Sequence, residues 1–572
     1  MLQARVVKLV YTYALGAYAA RCAGSSPVSG TIYDYNKVGM SNIPKLLNQI
    51  IVGNAFDEPR ILEAYSCDRS ILKMRPEMVV LPETTDDVRR IVRFVSQLRQ
   101  RGTKTSLTVR GSGLDKTGAD LTDKILVSME RMNRIQEIDS RSKLVRVQAG
   151  ITLEKLNTAL SLHGLVLPID ANPKETIGSI IANFTIDSYA GKYHGISHYV
   201  DCLEAVMADG NVLQTKNYNR RGLQRKIEDT DDPESGIYNR MNDVINNSEE
   251  ALTIIKEKPT LDAAGYQMAT QVERDNSRVF ELTPLFYASQ GTLGIITEVI
   301  LRLEPMPSKV TRFAAGFETA SGAVKYVEKI SPLSPLAIEL YDAHIFERAA
   351  ENGKELGLFA KRYNKGYIAI VVFDDNRLVA RKKLNDCLKL VPDSAAAILE
   401  TKENTKEFSR IHTALKSYLN DDTKGERLYL ADDFYVPQHR LLDFIKHLPE
   451  LEESVKRELP LFGDYLTSNY SLRPDLNMNT IAGRQDALKF LKKFADYLVE
   501  YDGVLTGGSP EGRIKALVVN QEENPTVHQF YQDIKAAFDP ENIFSPGVKL
   551  ESDVKKFVKH LRTEVLQGIT ED

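Results

Sequence analysis

Four glycine-bearing segments, spaced between strand ends and the last of them running into a β-branched strand, constrain this chain more than any other feature. They are Arg110-Gly111-Ser112-Gly113, Gln148-Ala149-Gly150-Ile151-Thr152, Thr176-Ile177-Gly178-Ser179-Ile180-Ile181-Ala182 and Ser289-Gln290-Gly291-Thr292-Leu293-Gly294-Ile295-Ile296-Thr297. Where no Cβ intervenes, backbone N–H groups can come close to a ligand, and a nest of amides or a helix start suits a pyrophosphate. One such segment is an ordinary turn. Four in this order, spaced between strand ends, are expected to form one cradle. No G-x-G-x-x-G follows a first strand with an acidic residue about 20 positions on, and no Walker A lysine motif occurs, so neither of those phosphate sites is supported.

The pattern around the segments is that of an α/β chain. Met78–Pro82 reads as a strand, and Thr85 is placed to cap a helix with Asp86 and Asp87 in its first turn. Val88, Ile91, Val92, Val95 and Leu98 then share a helical face, Gly102 stops the helix, and Leu107–Val109 is the next strand. Lys124–Ser128 and Lys143–Val147 read as further strands, with a helix capped by Thr152 and closed at Gly164. Cys202–Met207 and Val212–Gln214 flank the hairpin turn Ala208-Asp209-Gly210-Asn211. Residues 215–284 read as a polar, helix-rich insertion, and Ile295–Leu303 as a strand ending at Pro305 and Pro307, the expected domain boundary. Beyond it, strands such as Tyr367–Phe373 alternate with amphipathic helices such as Asp486–Tyr501, which predicts an antiparallel sheet with helices on one face.

At 572 residues, more than one domain is expected. A net charge of −4 argues against a nucleic-acid surface, and the short basic run Arg220–Lys226 is followed at once by Glu228, Asp229, Asp231 and Asp232. Cysteines 22, 67, 202 and 387 form no C-x-x-C pair, which argues against a disulfide scaffold or a zinc site. No window is long and apolar enough for a transmembrane helix. The first 39 residues have three readings: a signal or anchor imitated by Arg5, Lys8 and the apolar run Leu9–Ala20, real structure, or a mis-called start over a neighbouring transfer-RNA gene with translation beginning at Met40. They are set aside from the fold.

Taken together, residues ~74–305 resemble the FAD-binding domain of the vanillyl-alcohol oxidase / p-cresol methylhydroxylase flavoproteins, within them the branch of D-lactate and other D-2-hydroxyacid dehydrogenases. Leu81–Thr84, Val109–Gly113, Arg131–Ile135, Val147–Gly150, Thr176–Gly178 and Ser289–Thr297 carry the resemblance, and Ala431-Asp432-Asp433, Arg473-Pro474, Gly507-Gly508-Ser509 and Phe538–Gly547 extend it to a cap domain. The resemblance implies an α+β chain: a segment 1–39 outside the domains, a helical lead-in 40–73, a two-subdomain FAD-binding domain 74–305, a cap or substrate domain 306–550 with an antiparallel sheet flanked by helices, and a helical tail 551–572. It further implies Arg110, Gly111, Ser112 and Gly113 on the FAD pyrophosphate, Gly178, Ser179 and Ile181 along the isoalloxazine and pyrophosphate, and Gly291, Gly294 and Ile296 near the adenine side.

Departures from the family pattern carry expectations of their own. Leu114 stands where covalent members place a histidine, which implies noncovalent FAD. Asp115-Lys116 implies a first loop that is longer or differently bent, and Asn183-Phe184-Thr185-Ile186-Asp187 replaces the usual continuation of the third segment. The cap stretches Phe462-Gly463-Asp464-Tyr465 and Gly507–Arg513 lack the histidines that serve the branch as metal ligands or base, and no histidine lies between His447 and His528. No metal site is expected. A hydroxyl proton then needs another base. Candidates are Glu511 if desolvated and His194, with Arg473 or Arg513 as carboxylate clamps and Tyr465 and Tyr470 as substrate contacts. The implied activity is oxidation of a small hydroxy acid or related alcohol, with electrons passing to a quinone, an electron-transfer protein or oxygen. A flavin-binding or partner-binding protein that lost the usual histidines is the alternative. The expected setting is cytoplasmic, with peripheral contact at the inner face of the membrane left open.

Overall fold

The computed structural model describes residues 43–258, 262–274, 279–307, 309–351, 353–363, 365–420 and 428–562. Residues 1–39, with the readings attached to them, lie outside the described residues.

The N-terminal unit is built on two sheets. The first has four strands in the order Asn54–Phe56, Met78–Leu81, Ile125–Ser128, Leu107–Arg110, the last three parallel to one another. Parallel pairing demands a crossover, and the helix Thr85–Gln100 supplies it, with Val88, Ile91, Val92 and Val95 fully buried. Its cap is Thr84 rather than Thr85: the Thr84 hydroxyl accepts from Asp87 N at 3.1 Å from an extended backbone. That leaves Thr85 to donate to Glu204. The second sheet is antiparallel, in the order Ile135–Asp139, Leu144–Gln148, Ile295–Arg302, Val200–Val206, Val212–Gln214. The last two of these form the hairpin expected around Asp209-Gly210.

Thr311–Phe317 opens the cap, a seven-stranded antiparallel sheet whose order is Ala396–Leu399, Thr311–Phe317, Tyr367–Phe373, Ala337–Asp342, Leu461–Asp464, Asn469–Leu472, Ala431–Tyr435. Helices cover both of its faces, not one. Ala369, Val371 and Phe373 pack towards the helices Ala320–Ile330, Gln438–Val455 and Ile481–Glu500, whereas Ile368, Ile370 and Val372 pack towards His344–Glu351, Leu358–Arg362 and Thr405–Asn420. A strand apolar at every position is a strand buried on both sides. The helix expected from Asp486 starts at Ile481, capped by Thr480 through Gly483 N; Gly483, a poor helix former, hides the first turn from a pattern reading.

The chain then crosses back. The helix Pro525–Phe538 packs Phe530, Ile534 and Phe538 into the core of the antiparallel sheet of the first unit. Further on, Leu107 N donates to Ile543 O at 2.9 Å and Ser545 N to Leu107 O at 2.7 Å, so the tail extends the edge of the parallel sheet. Phe544 is fully buried there, in one cluster with Leu107, Val127, Val206 and Ile295. The 306–550 segment therefore contributes to both units. Phe544→Ala is expected to lower the free energy of unfolding by about 3–5 kcal/mol, the range for emptying a buried phenylalanine site. Chemical denaturation reads this directly; a loss under about 1 kcal/mol would mean that the tail is not part of that core.

Candidate active site

The four glycine segments meet in one cleft. Its walls are Gly111, Ser112, Gly113, Leu114 and Asp115 from the first loop, Ala149 from the second segment, Glu175, Thr176, Gly178, Ser179, Ala182 and Asn183 from the third, and Gln290, Gly291, Gly294 and Ile296 from the fourth, with Val109, Ala119, Asp120 and Met129 between them. The first loop leaves the C-terminal end of the strand Leu107–Arg110 and turns at Gly113, whose φ of 72° is left-handed. Gly111 lies so close to the third segment that a Cβ there would stand 2.0 Å from Ser179 Oγ and 2.4 Å from Thr176 Oγ1. Thr176 caps the short helix Ile177–Ala182 by accepting from Ser179 N. Gly178 N donates to Ala149 O at 2.8 Å, which ties the third segment to the second. Gln290 ties the fourth to the rest: its N donates to Ala182 O at 2.9 Å, its side-chain amide to Thr117 Oγ1 at 3.0 Å, and its Oε1 accepts from Gly512 N at 3.0 Å.

Two expected cleft residues turn elsewhere. Ile181 is fully buried in the core. Arg110 folds back beneath Gly113, where it donates to Cys67 O at 2.8 Å and stands 3.9 Å from Asp120. Oxygens of Asp68, Asp115 and Asp120 all lie within 4.8 Å of one another. Arg110 beside Asp120 and Arg562, 3.5 Å from Asp68, supply the opposing charge. Burial, with Asp120 next, pushes the Asp115 carboxyl up to about 6.

Beside the cleft, the first loop meets the cap in a cluster of charges. Lys116 Nζ stands 3.1 Å from Asp433 and 4.0 Å from Asp432, and Arg473 Nε stands 3.1 Å from Asp432. The cap presents both carboxylates through an irregularity in the strand Ala431–Tyr435, where the pairing register shifts between Ala431 and Phe434 and Asp433 takes a φ of 57°. Bulges re-aim side chains in this way near functional sites. Arg473 also lies over the Tyr429 ring, 4.3 Å from its centroid. Lys515 donates to Asp432 O, Leu505 O and Ser509 Oγ at 2.8–2.9 Å. Burial pulls this ammonium down to about 8 against Asp433 and Asp432, while three acceptors engage its three protons. Asp433 is pushed up by burial but held below the usual carboxylate value by Lys116, Lys515 and Arg473 together.

Of the residues nominated for catalysis, the structure brings Arg473 to this cluster and leaves the other three elsewhere. Glu511 is buried in an ion pair with Lys549 at 2.8 Å and accepts from Gly265 N at 2.9 Å, so both of its oxygens are engaged. Arg513 ties Pro546 O and Leu121 O together. His194 is exposed, ending the helix Ala190–Tyr193 in a left-handed backbone beside His198. Tyr465 and Tyr470 are buried in the cap core. Glu175 and Lys515 were missed: a glutamate before a threonine cap looks like ordinary support for a helix start, and nothing in the sequence places Lys515 beside Asp432.

Residues 76–216 match the family model described as an FAD binding domain, and residues 306–548 match the C-terminal domain of FAD linked oxidases. The chain belongs to the FAD-linked oxidase family. It is 27% identical over 509 residues to the D-2-hydroxyglutarate dehydrogenase of Pantoea ananatis, covering 84% of this chain and 48% of that protein. It is 24% identical to the D-lactate dehydrogenase of Archaeoglobus fulgidus, covering 82% of this chain and 90% of that one. The chain spans about half the length of the first relatives it matches. Among solved structures, p-cresol methylhydroxylase with substrate bound shares the fold at a TM-score of 0.61 and 14% identity, over 91% of this chain and 99% of that one.

The residues present fit FAD. Gly111 and Gly113 line the cleft with no Cβ, since one at Gly111 would strike the Ser179 and Thr176 hydroxyls and one at Gly113 the Arg110 guanidinium, and the buried Arg110 Nη1 lacks a hydrogen-bond partner beneath them. Gly111→Ala should therefore weaken FAD binding at least about tenfold, or roughly 1.4 kcal/mol, in a fluorescence titration, with the fold intact by circular dichroism; unchanged affinity would contradict the assignment. Four buried or half-buried carboxyls make a second expectation. Burial pushes Glu175, Asp187 and Glu339 up to about 7 and Asp464 up to about 8. A folded value above the unfolded one means that the native state holds the proton more tightly. That contribution is complete below the unfolded values near pH 4 and is lost as pH rises through 7 and 8. The melting temperature should fall between about pH 5 and 8, and Glu339→Gln should reduce the fall; a melting temperature that rises over this range would contradict it.

Proposed function

We propose that the protein is a dehydrogenase that oxidises a small hydroxy acid, or a related alcohol, with noncovalent FAD. The observation that carries this reading is the placement of the charged cap cluster, with Lys116 of the first loop and Arg473 of the cap, at the side of the FAD cleft. FAD bound in the cleft supplies a two-electron acceptor for hydride. Arg473 and Lys116 offer a substrate carboxylate two cationic partners, Arg473 in a planar fork suited to bidentate contact. Asp432 and Asp433 hold those cations in position before substrate arrives. The names of the relatives, D-2-hydroxyglutarate and D-lactate dehydrogenase, favour a 2-hydroxy acid. Among the described residues lining the cleft there is no histidine, cysteine or tyrosine, which supports noncovalent attachment.

One observation favours a second reading, a flavin-binding or partner-binding protein without turnover. Asp464, in the stretch where the branch carries a histidine, serves the backbone instead: it accepts from Ile338 N at 2.9 Å and from Thr467 N at 2.9 Å.

Purified protein separates the two. Acid precipitation is expected to release yellow FAD into the supernatant, and colour left in the pellet would contradict noncovalent attachment. A panel of D- and L-2-hydroxy acids, sugar acids and lactones, assayed with an artificial dye, should yield at least one donor that bleaches the flavin anaerobically. Failure of the whole panel with FAD bound would favour the binding protein. Quinone, an electron-transfer protein and oxygen, offered in turn to the reduced enzyme, would identify the physiological acceptor class.

A further inference from the structure

Oxidation of a carbinol needs a group to take the hydroxyl proton, and this chain has nine histidines of which none lines the cleft. Among the described residues, three with carboxyl side chains line it: Asp115, Asp120 and Glu175. Both oxygens of Asp115 are engaged by Thr117 and by Ala119 N. Asp120 faces Arg110 and its carboxylate neighbours Asp68 and Asp115. Glu175 differs from both. Its backbone is clamped, with its N donating to Asn172 O at 2.8 Å and its O accepting from Leu153 N at 2.9 Å. It lines the cleft, and its Oε1 accepts from Thr185 Oγ1 at 3.3 Å. The groups that act on it electrostatically come from every side: Lys116 and Asp115 from the first loop, Asp433 from the cap and the Thr185 hydroxyl from its own segment. It feels the charge of Lys116, one of the two cations assigned above to a substrate carboxylate.

We propose that Glu175 is the catalytic base of this enzyme, accepting the hydroxyl proton of the substrate on its carboxylate. The assignment rests on the dehydrogenase reading. In the reaction, the carbinol C–H bond breaks and its electron pair leaves as hydride, with oxidised FAD as the oxidant. The O–H bond breaks in the same conversion, its electron pair becomes the second bond of the new carbonyl, and the proton ends on Glu175. Glu175 returns that proton to solvent once the oxo product leaves. Burial pushes its carboxyl up to about 7, Lys116 draws it back, and Asp433 and Asp115 push it up further, a balance suited to a base working near neutral pH. Lys116 is then a positioning residue with two tasks: it faces the substrate carboxylate, and it keeps Glu175 ionised.

The test compares wild type with Glu175→Gln and Lys116→Gln as FAD-loaded full-length proteins, with two readouts. The first needs no turnover: the absorbance of the oxidised flavin is followed against pH. Wild type should show a spectral shift with a midpoint near 7, Glu175→Gln should lack it, and Lys116→Gln should move it to higher pH. The second is anaerobic flavin reduction by the best donor of the panel. Glu175→Gln should reduce at least about a hundredfold more slowly, the lower bound for loss of a general base, with FAD content unchanged. The wild-type rise of kcat/KM towards about pH 7 should vanish in that variant and move upwards in Lys116→Gln. Reduction by Glu175→Gln within about threefold of wild type, with the same acid limb, would overturn the assignment while leaving the dehydrogenase reading standing. A wild type that no donor reduces, even with the spectral shift present, would overturn both. Loss of FAD by Glu175→Gln shifts the comparison to Glu175→Asp. That shorter carboxylate keeps the acid limb and loses rate if Glu175 is the base, and wild-type rate with an unchanged limb would overturn it.

Discussion

Everything at this site depends on how closely strand ends and loops from distant parts of the sequence approach one another. Gly111 has room only for hydrogen: the Thr176 and Ser179 hydroxyls occupy the place of a Cβ and bond to each other at 2.8 Å. The same contact sets the start of the short helix Ile177–Ala182 against the first loop, its leading amides held by Ile151 O, Ala149 O and Thr176 Oγ1. Gln290 fastens the fourth segment across it with three hydrogen bonds. The cradle is therefore a property of backbone geometry, and the side chains serve to hold that geometry.

The cap adds charge to this frame, and the tail adds rigidity. A cleft formed by loops alone would be easily deformed, but the cap sends Gly512 to Gln290, Ile514 N to Thr117 O at 3.3 Å, and the 543–545 segment to Leu107. The charges at the junction compensate in pairs, Lys116 with Asp433 and Arg473 with Asp432. Arg473 and Asp432 are buried and Lys116 and Asp433 half-buried, and such pairs contribute little to stability once desolvation is counted. Their value lies in holding cations ready at a place that water only partly reaches. Glu175 belongs to the same electrostatic unit, since its affinity for a proton is set jointly by burial and by both domains.

Much of the frame was legible in the sequence because it is written in local signals. Strand ends, glycine turns and the Asp209-Gly210 hairpin each announce themselves within a few residues, and their order pointed to the cradle before any contact was known. Where a signal is shared by two structures, the reading slipped. Thr84 and Thr85 are equally good caps on paper, and only the extended backbone of Thr84 decides between them. Tyr367–Phe373 is apolar throughout, which suited a one-sided sheet less well than the two-sided one it forms. The catalytic side was the least legible. Glu511 and Arg513 stood in the right segment, yet long-range partners, Lys549 and the Pro546 and Leu121 carbonyls, claim them. Glu175 acquires its character from burial and from partners that include Lys116, Asp115 and Asp433, and these neighbours are up to 258 positions distant in the chain of 572.

The central claim, that the four glycine segments and the cap segment beside them form one FAD site, is tested most directly by amide hydrogen exchange with and without FAD. Protection on adding FAD should appear together in 110–113, 149–151, 176–183 and 289–296, and extend to 507–512 through the Gln290–Gly512 bond. Protection confined to one of these segments, or concentrated in the 215–284 insertion while the glycine segments exchange as before, would contradict the account.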